Sequence, residues 1–329
     1  GEGVPRDYVT GESAESSLAL LAQEILPRLV GVQIAAPEQL LPAVGTLLAP
    51  AAGRQSCGCA AELALFDLAG KAFDRPAAAW FGGARRATVR YAAVLPLLDP
   101  PETAAFLAGL RHLGGPHLKI KAEGERWPEA LAAARAALGA GVTIAVDANG
   151  SWGFDEAVSH LRRMERFDVA WVEQPLPRGS EGRIPELAAR SGIPLMADES
   201  LTTPAEAERL ARDRGYRLFN LRLSKLGGLA AAHAVARIAS AAGVRVQVGC
   251  QVGESSILSA AGRILAATLP AYEALEGSYG KRLLESDVTE EPFEFGAGGS
   301  AAVQGGPGLG VSVALERLAP LVLCSMSVP

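Results

Sequence analysis

Charged residues recur at nearly constant spacing through the middle of this chain, each close behind a short apolar run. Lys121, Asp147, Glu173, Asp198 and Lys225 follow one another at intervals of 26, 26, 25 and 27 residues. One strand plus one helix has about this length, so the pattern indicates an internal repeat of β/α units. In a closed barrel these strand ends form one ring, whereas in an open sheet they lie in a row. We therefore expect a β/α barrel with its site in the mouth.

Apolar periodicity predicts the individual elements of that barrel and of a helical region ahead of it. The predicted strands are 88–94, 118–122, 143–147, 169–173, 194–198, 218–224, 245–249 and 272–275. The predicted barrel helices lie near 128–139, 153–166, 183–191, 204–214, 229–242 and 254–268. Earlier helices are predicted at 14–30, 36–49 and 57–74, and the last of them carries a shared apolar stripe of Ala61, Leu65, Leu68 and Ala69.

Composition and charge limit the possible partners and compartments. The formal net charge of −5 argues against nucleic acid as a partner. The chain has no run of about 18 uncharged apolar residues and no signal peptide at its start, so we expect no membrane partner and a cytoplasmic location. Its four cysteines, Cys57, Cys59, Cys250 and Cys324, lack the spacing of a metal site and are expected to be reduced thiols. We expect a homo-oligomer that acts on a small carboxylate-bearing substrate.

Three of the repeating charges are carboxylates at the ends of buried strands. Asp147, Glu173 and Asp198 each follow an apolar run, and a carboxylate in that position is costly unless it is paired or binds a cation. Three such groups on successive strands converge and repel one another without a cation. Hard oxygen ligands with room for water and substrate suit Mg²⁺, with Mn²⁺ as a substitute. The alternative is three separate salt bridges or helix caps.

The lysines at the strand ends are candidate acid/base groups. Lys119 and Lys121 are two residues apart, so in a strand both point to the same side, into the mouth beside the carboxylates. Like charges, a metal and partial desolvation lower a lysine pKa and make it a usable general base. Lys225 is predicted to end the sixth strand, across the ring. In an isolated Lys-x-Lys segment, solvated lysines are the more ordinary interpretation.

Several polar residues are candidates for contacting the substrate or for supporting the metal ligands. Asn149 shares the direction of Asp147 and is placed to hydrogen-bond a lysine or a ligand carboxylate. Glu199, beside Asp198, is expected behind the metal ligands. Glu254 follows the seventh strand, where a role near a helix start is the simpler alternative. The four histidines lie away from strand ends, so we assign them no catalytic role.

Five short motifs, in this order along the chain, resemble those of a known family: Lys-Ile-Lys (119–121), Asp-Ala-Asn (147–149), Val-Glu-Gln-Pro (172–175), Ala-Asp-Glu-Ser (197–200) and Leu-Ser-Lys-Leu-Gly-Gly (223–228). The chain resembles the enolase superfamily, in particular its muconate-lactonizing-enzyme subgroup. The resemblance extends to Leu-Phe-Asp-Leu-Ala-Gly-Lys-Ala (65–72) and to Gly-Pro-Gly-Leu-Gly (306–310). It covers nearly the whole chain.

The resemblance implies an α/β fold, a (β/α)7β TIM-like barrel with an α+β capping domain. Residues 1–86 would form the capping or lid domain, 87–292 the barrel, and 293–329 a segment that returns to the capping domain. Residues 1–5 match the end of the third capping strand, so the N-terminal sheet is expected to be truncated. Residues 6–12 would then be the loop that closes over the substrate, with Arg6 and Tyr8 near it.

The resemblance also implies roles for the residues in the mouth. Asp147, Glu173 and Asp198 would bind Mg²⁺, Lys121 and Lys225 would be the acid/base pair, and Lys119 would assist the substrate carboxylate. The chemistry of this superfamily is removal of a proton next to a carboxylate, with the metal stabilising an enediolate. A strand-end histidine base is absent from the sequence, which fits the two-lysine subgroup.

Within the subgroup three reactions share this site, and the sequence leaves the choice open. An isomerase, either a racemase/epimerase or a cycloisomerase, is the leading interpretation. The alternatives are a lyase of the o-succinylbenzoate-synthase kind and a barrel retained as a non-catalytic protein. Glu276-Gly-Ser278 replaces the Asp-x-Asp that many dipeptide epimerases have after strand eight, which weakens a role in binding a substrate ammonium group.

Overall fold

Nine short strands give the molecule its framework. They are defined in a computed structural model that describes residues 1–291 and 293–325, without the side chains of Lys281 and Arg282. Position 292 and the last four residues of the predicted C-terminal segment lie outside the described residues. The strands are β1 (Thr88–Arg90), β2 (Ala93–Leu95), β3 (His117–Lys121), β4 (Thr143–Asp147), β5 (Val169–Glu173), β6 (Leu195–Ala197), β7 (Leu218–Leu221), β8 (Arg245–Val248) and β9 (Ser300–Ala302).

Strands β2 to β8 form one parallel sheet in sequence order, and residues 273–276 close it into a ring. Leu275 makes parallel bridges both to Val248 at the end of β8 and to Tyr91 ahead of β2. The backbone N–H of Ala92 donates to the carbonyl of Leu275 at 2.7 Å, and that of Val248 donates to Ala274 at 2.9 Å. The prediction of an α/β, TIM-like barrel fold is confirmed.

The inside of the barrel is packed with one large side chain among small and medium ones. Trp171 is 2% exposed and shares its cluster with side chains from neighbouring strands. Small residues on these strands leave room for its indole, because a barrel interior has a fixed width. The cluster consists of Ala92, Ala145, Trp171, Met196, Leu218 and Ala274.

Helices follow most barrel strands and also precede the barrel. Ahead of it are α1 (Asp7–Thr10), α2 (Ala14–Leu20), a π-helical turn (Leu21–Ile25), α3 (Leu26–Leu29), α4 (Leu40–Leu47) and α5 (Gln55–Ala72). Around it are α6 (Pro100–Leu113), α7 (Trp127–Leu138), α8 (Phe154–Met164), α9 (Ile184–Ala188), α10 (Pro204–Asp213), α11 (Leu223–Leu226), α12 (Leu229–Ala241) and α13 (Ser256–Thr268). The shorter helices α14 (Gly280–Leu283) and α15 (Leu315–Leu318) come after it. No helix in the described part of the chain is long and apolar enough to cross a membrane.

Two parts of the element prediction were wrong near the first strand. The predicted strand 88–94 is divided, because β1 pairs antiparallel with β9 outside the barrel and only β2 belongs to the ring. Helix α6 was not predicted, although its start has strong local signals. Asp99 accepts the backbone N–H of Glu102, Pro100 occupies the first turn and Gly114 ends the helix with φ of 73°.

The apolar stripe proposed for the helix at 57–74 was also wrong in part. On α5, Leu63 and Phe66 are fully buried, whereas Leu68 is 68% exposed. Leu65 and Leu68 line an open apolar groove with residues of α3 and α4. The 3.6-residue period gave the helix correctly, but two apolar stripes compete on it and only packing decides which one is covered.

The C-terminal segment contacts α5. The backbone N–H of Leu309 donates to Asp67 at 3.0 Å, and Lys71 donates to the carbonyl of Val311 at 3.1 Å. Gly308 has φ of 65°, and a β-carbon there would overlap Asp67, so this approach requires glycine. The boundaries at residues 86 and 292 between domains remain predictions.

Candidate active site

Three carboxylates lie side by side at the carboxyl ends of neighbouring strands. Asp147 ends β4, Glu173 ends β5 and is paired with Asp147 in the register, and Asp198 follows β6 directly. All three residues are 0% exposed. Burial and the neighbouring Asp147 raise the pKa of Glu173 to about 8. This crowding of negative charge requires nearby cations.

Lys119 supplies one of these cations from inside the barrel. Its Nζ lies 2.7 Å from Glu276 Oε2, 3.2 Å from Glu173 Oε2 and 3.5 Å from Asp147 Oδ2. Burial alone would lower the pKa of Lys119, but these carboxylates outweigh it and hold that pKa well above its usual range. The expected lowering of the pKa is therefore wrong for Lys119. Its ammonium neutralises the carboxylates.

Lys121, on the same side of β3, reaches toward the open mouth. Its Nζ donates to Asp147 Oδ2 at 2.9 Å and also contacts Asn149 Oδ1, while its side chain is 24% exposed. Asn149 in turn donates to Glu199 Oε1 at 3.0 Å. The predicted contact between Asn149 and a lysine is confirmed, and Glu199 lies behind it.

Lys225 lies on the opposite side of the ring, on a helix rather than a strand. Strand β7 ends at Leu221, so Lys225 belongs to α11, and the predicted strand 218–224 was too long. Its Nζ donates to the carbonyl of Asp198 at 2.6 Å, to Asp198 Oδ1 at 2.7 Å and to the carbonyl of Asn220 at 2.9 Å. The residue is 0% exposed, and burial lowers its pKa in spite of Asp198.

Arg222 is a residue of the site that the sequence interpretation missed. Its NH2 lies 3.3 Å from Glu173 Oε1 and makes a close contact with Asp198 Oδ2, so one guanidinium bridges two carboxylates. The available signal was its position, because Arg222 is the first charged residue after the apolar run of β7. Extending that strand to residue 224 concealed it.

Two buried amides were missed as well. Asn220 donates from Nδ2 to Glu173 Oε1 at 2.8 Å, and Gln247 donates to Glu276 Oε1 at 3.2 Å. Both residues interrupt apolar strands that point into the barrel, and a buried amide in such a strand needs partners. That requirement was the signal available in the sequence.

Glu276, which ends the segment that closes the barrel, and Ser278, two residues later, both make contacts within the protein. The carboxylate of Glu276 accepts hydrogen bonds from Lys119 and Gln247. Ser278 donates a hydrogen bond to the hydroxyl of Tyr91 at 2.7 Å and accepts one from Arg263 at 3.3 Å. The Glu276 carboxylate is thus paired within the protein, and Ser278 carries an uncharged hydroxyl. The weakened role in binding a substrate ammonium group stays a prediction.

A segment ahead of the barrel crosses its mouth. Arg6 contacts the carbonyl of Val252, in the loop after β8, and Arg178, in the loop after β5, donates to the carbonyl of Val9 at 2.6 Å. Those two strands are three positions apart in the ring. Glu12, which is 1% exposed, anchors the far end by accepting the N–H of Ser56 at 2.9 Å. Tyr8 is 70% exposed.

Glu254 lies near this segment, in the loop ahead of α13. Its Oε1 accepts the backbone N–H of Gln251 at 2.6 Å. Burial raises the pKa of Glu254 to about 8, against that hydrogen bond. Its place beside the mouth makes it a candidate for contact with a substrate.

The buried oxygen atoms of the site fit a divalent cation. Asp198 Oδ2, Glu199 Oε2 and Asn220 Oδ1 lack a hydrogen-bond donor of normal geometry among the described residues, which is costly for a buried oxygen. Carboxylate and carbonyl oxygens are the donors that Mg²⁺ and Mn²⁺ prefer. In residues 1–291 and 293–325 no three acidic, histidine or cysteine side chains form a ready metal-ligand group. We attribute this to Lys119 and Arg222, which lie between the carboxylates.

Comparison with known proteins places the chain in a family. A sequence model described as "Enolase C-terminal domain-like" matches residues 102–317. The chain belongs to the enolase superfamily. This superfamily member is 30% identical to the N-succinyl-L-Arg/Lys racemase of Bacillus cereus, over 80% of this chain and 71% of that protein. It is 30% identical to a chloromuconate cycloisomerase of Delftia acidovorans, over 86% of this chain and 76% of that protein.

A solved structure gives the same result. The dipeptide epimerase of Cytophaga hutchinsonii, complexed with Mg and the dipeptide D-Ala-L-Val, matches with a TM-score of 0.85 and 25% identity. The match covers 97% of this chain and 86% of that one. The relatives are racemases, epimerases and cycloisomerases of the muconate-lactonizing-enzyme subgroup. The prediction of an enolase-superfamily isomerase is confirmed at the level of the class of enzyme.

Proposed function

We propose that this enzyme removes the proton next to a substrate carboxylate in a Mg²⁺-dependent reaction through an enediolate. The observation that carries the proposal is the arrangement of the mouth. Three buried carboxylates lie at the ends of adjacent strands, and Lys121 and Lys225 flank them from strand β3 and from α11, the short helix after strand β7. These strands are four positions apart in a ring of eight, about half the circumference.

Asp147, Glu173 and Asp198 would hold the cation, with Mn²⁺ as a substitute for Mg²⁺. When bound, the cation supplies positive charge that stabilises the negative charge developing on the substrate carboxylate. Lys119 and Arg222 hold the carboxylates together, because each bridges two of them. Asn149 and Glu199 orient Lys121, and residues 6–12, with Arg6 and Tyr8, would exclude water from the intermediate.

The two lysines would act on opposite faces of one carbon atom. Lys121 is partly exposed and can reach a ligand above the carboxylates. Lys225 is buried and has a lowered pKa, so its ammonium gives up a proton more readily. This arrangement favours a 1,1-proton transfer, racemisation or epimerisation, in which one lysine removes the proton and the other delivers it.

Deuterium exchange at the α-carbon tests this function. Dipeptides, N-succinyl amino acids and muconates would be surveyed in D₂O with the wild-type enzyme and Mg²⁺. Lys121→Ala and Lys225→Ala should each abolish racemisation, while the remaining lysine still exchanges the α-proton of one enantiomer. A cycloisomerase or a dehydratase of the o-succinylbenzoate-synthase kind would instead depend far more on one lysine. Full turnover by the double variant would rule out the mechanism. If the wild-type enzyme exchanges the α-proton of no substrate in the survey, a non-catalytic barrel is favoured instead.

A further inference from the structure

Lys225 lies on a very short helix that is followed by a glycine turn, so its position depends on contacts with other parts of the chain. It belongs to the four-residue helix α11, all of whose residues are buried, and β7 ends four residues earlier. Gly227 and Gly228 follow, with φ of 98° and 120°. Glycine in the left-handed region is conformationally free in the unfolded chain, so packing must define this turn.

Glu62, on α5 ahead of the barrel, caps the helix that follows this turn. It is 2% exposed. Its Oε1 accepts the N–H of Ala230 at 3.1 Å, and its Oε2 makes a short hydrogen bond with the N–H of Leu229. These two N–H groups have no acceptor within the first turn of α12, and the residue that precedes the helix makes no side-chain hydrogen bond to them. A carboxylate there stabilises the helix start.

The same contact fixes the glycine turn. A β-carbon at Gly228 would overlap the carboxylate of Glu62, so this approach depends on glycine. Gly227 packs against the start of α5 near Gln55. On the other side of Lys225, Ser224 Oγ accepts the N–H of Val4 at 2.8 Å and donates to its carbonyl at 3.1 Å.

We propose that Glu62 is a positioning residue for Lys225: from outside the barrel it holds the turn that sets the ammonium over the substrate face opposite Lys121. The inference rests on the two-lysine function proposed above. Lys121 is held by Asp147 and Asn149, and among the described residues no hydrogen bond or ion pair joins it to Glu62 or to α12. Loss of Glu62 should therefore affect one face of the substrate and spare the other.

The test is face-resolved deuterium exchange in Glu62→Gln. Each enantiomer of the substrate found in the survey is followed separately, and Lys225→Ala identifies the enantiomer that depends on Lys225. Assays run at about pH 9, above the pKa of about 8 that burial gives Glu62, so that the wild type carries the carboxylate. We expect exchange of the Lys225-dependent enantiomer to fall about 10- to 100-fold, as misplacement of a catalytic group does. Exchange of the other enantiomer should fall less than about threefold.

Two further variants separate positioning from general damage to the fold. Gly228→Ala, which displaces the carboxylate, should give the same asymmetry. Glu102→Gln is the matched control, because Glu102 also accepts an N–H at a helix start, that of Asp99 at 3.2 Å ahead of α6, which carries none of the proposed site residues. It should leave both exchange rates within about twofold of the wild type.

Amide hydrogen exchange gives a readout that needs no substrate. Residues 223–230 should exchange faster in Glu62→Gln than in the wild type, while residues 143–147 of β4 should not. Unchanged protection of residues 223–230, or equal loss of exchange for both enantiomers, would overturn the role of Glu62. Retention of exchange for both enantiomers in Lys225→Ala would instead overturn the proposed function.

Discussion

At the scale of single residues, Lys119 and Lys121 have different environments although they share one face of β3. The Lys119 side chain is 5% exposed and has three carboxylate partners, whereas the Lys121 side chain is 24% exposed and has one. A buried charge contributes to stability by satisfying its partners, while a partly exposed one remains available to a ligand. We therefore assign Lys119 to holding the carboxylates and Lys121 to chemistry.

Lys119→Ala and Lys121→Ala should differ in stability. Removing Lys119 leaves buried carboxylates unpaired, which typically costs about 3–5 kcal/mol in the free energy of unfolding. Removing Lys121 leaves Asp147 paired with Lys119 and nearer to solvent, so the loss should be below about 1.5 kcal/mol. Urea unfolding in a chelating buffer measures both. Equal losses would contradict the division of roles.

Glu173 contacts both Lys119 and Arg222, so among the three proposed ligands its loss should affect metal binding most. Glu173→Gln keeps the shape but removes the charge, so turnover should be abolished while the variant remains folded. Added Mg²⁺ should raise the melting temperature of the wild type, because a ligand bound only by the folded state stabilises it. That rise should vanish in Glu173→Gln and persist in Glu186→Gln, which alters an exposed surface residue. A rise retained in Glu173→Gln would exclude it as a ligand.

At the scale of elements, the helices carry local signals that operate without the rest of the fold. Asp99 immediately precedes helix α6 and caps it: its side chain accepts the N–H of Glu102, while Glu102 accepts the N–H of Asp99 at 3.2 Å. Such a reciprocal cap is complete within four residues. By contrast, the start of α12 has its cap from Glu62, 167 positions earlier in the chain.

Asp99→Ala should therefore be a local lesion. Loss of the cap is expected to reduce the free energy of unfolding by about 1 kcal/mol. The turnover number should not change, because α6 carries none of the proposed site residues. Asp99→Ser, which can also accept the N–H, should recover most of the stability. Chemical denaturation together with steady-state kinetics measures these effects, and a drop in turnover without loss of stability would contradict this view.

At the scale of the whole molecule, buried carboxyl groups should give stability a characteristic pH dependence. Burial raises the pKa of Glu62 and of Glu254 to about 8 from the model-peptide value of 4.5. The folded state therefore binds more protons than the unfolded state between these two values. Linkage then requires stability to fall as the pH rises through this window.

The variant Glu254→Gln isolates one of these contributions. A neutral amide does not titrate, so the decline in the urea midpoint between pH 5 and pH 8 should be shallower than in the wild type. The pKa values of Asp147 and Asp198 are lowered, because the positive charges of Lys119 and Arg222, respectively, outweigh the effect of burial. These two carboxyl groups therefore affect stability only at more acidic pH. An unchanged slope in Glu254→Gln would show that this carboxyl is ionised throughout the range.

The sequence by itself determined the barrel, the carboxylates at the ends of its central strands and most of the proposed site. β4 and β5 were predicted with their observed bounds because an apolar run that ends in one charged residue is a local pattern. The 25- to 27-residue repeat then fixed the order of the ring, and the resemblance identified the lysines.

Tertiary structure alone decided which charges are partners. Arg222 bridges Glu173 and Asp198, and Lys119 pairs with Glu276, which lies 157 residues later in the sequence. Such pairings depend on ring closure and strand register, which set distances between residues far apart in the chain. For the same reason the sequence could not place Lys225 on a helix supported by Glu62, since that support comes from a different layer of the molecule.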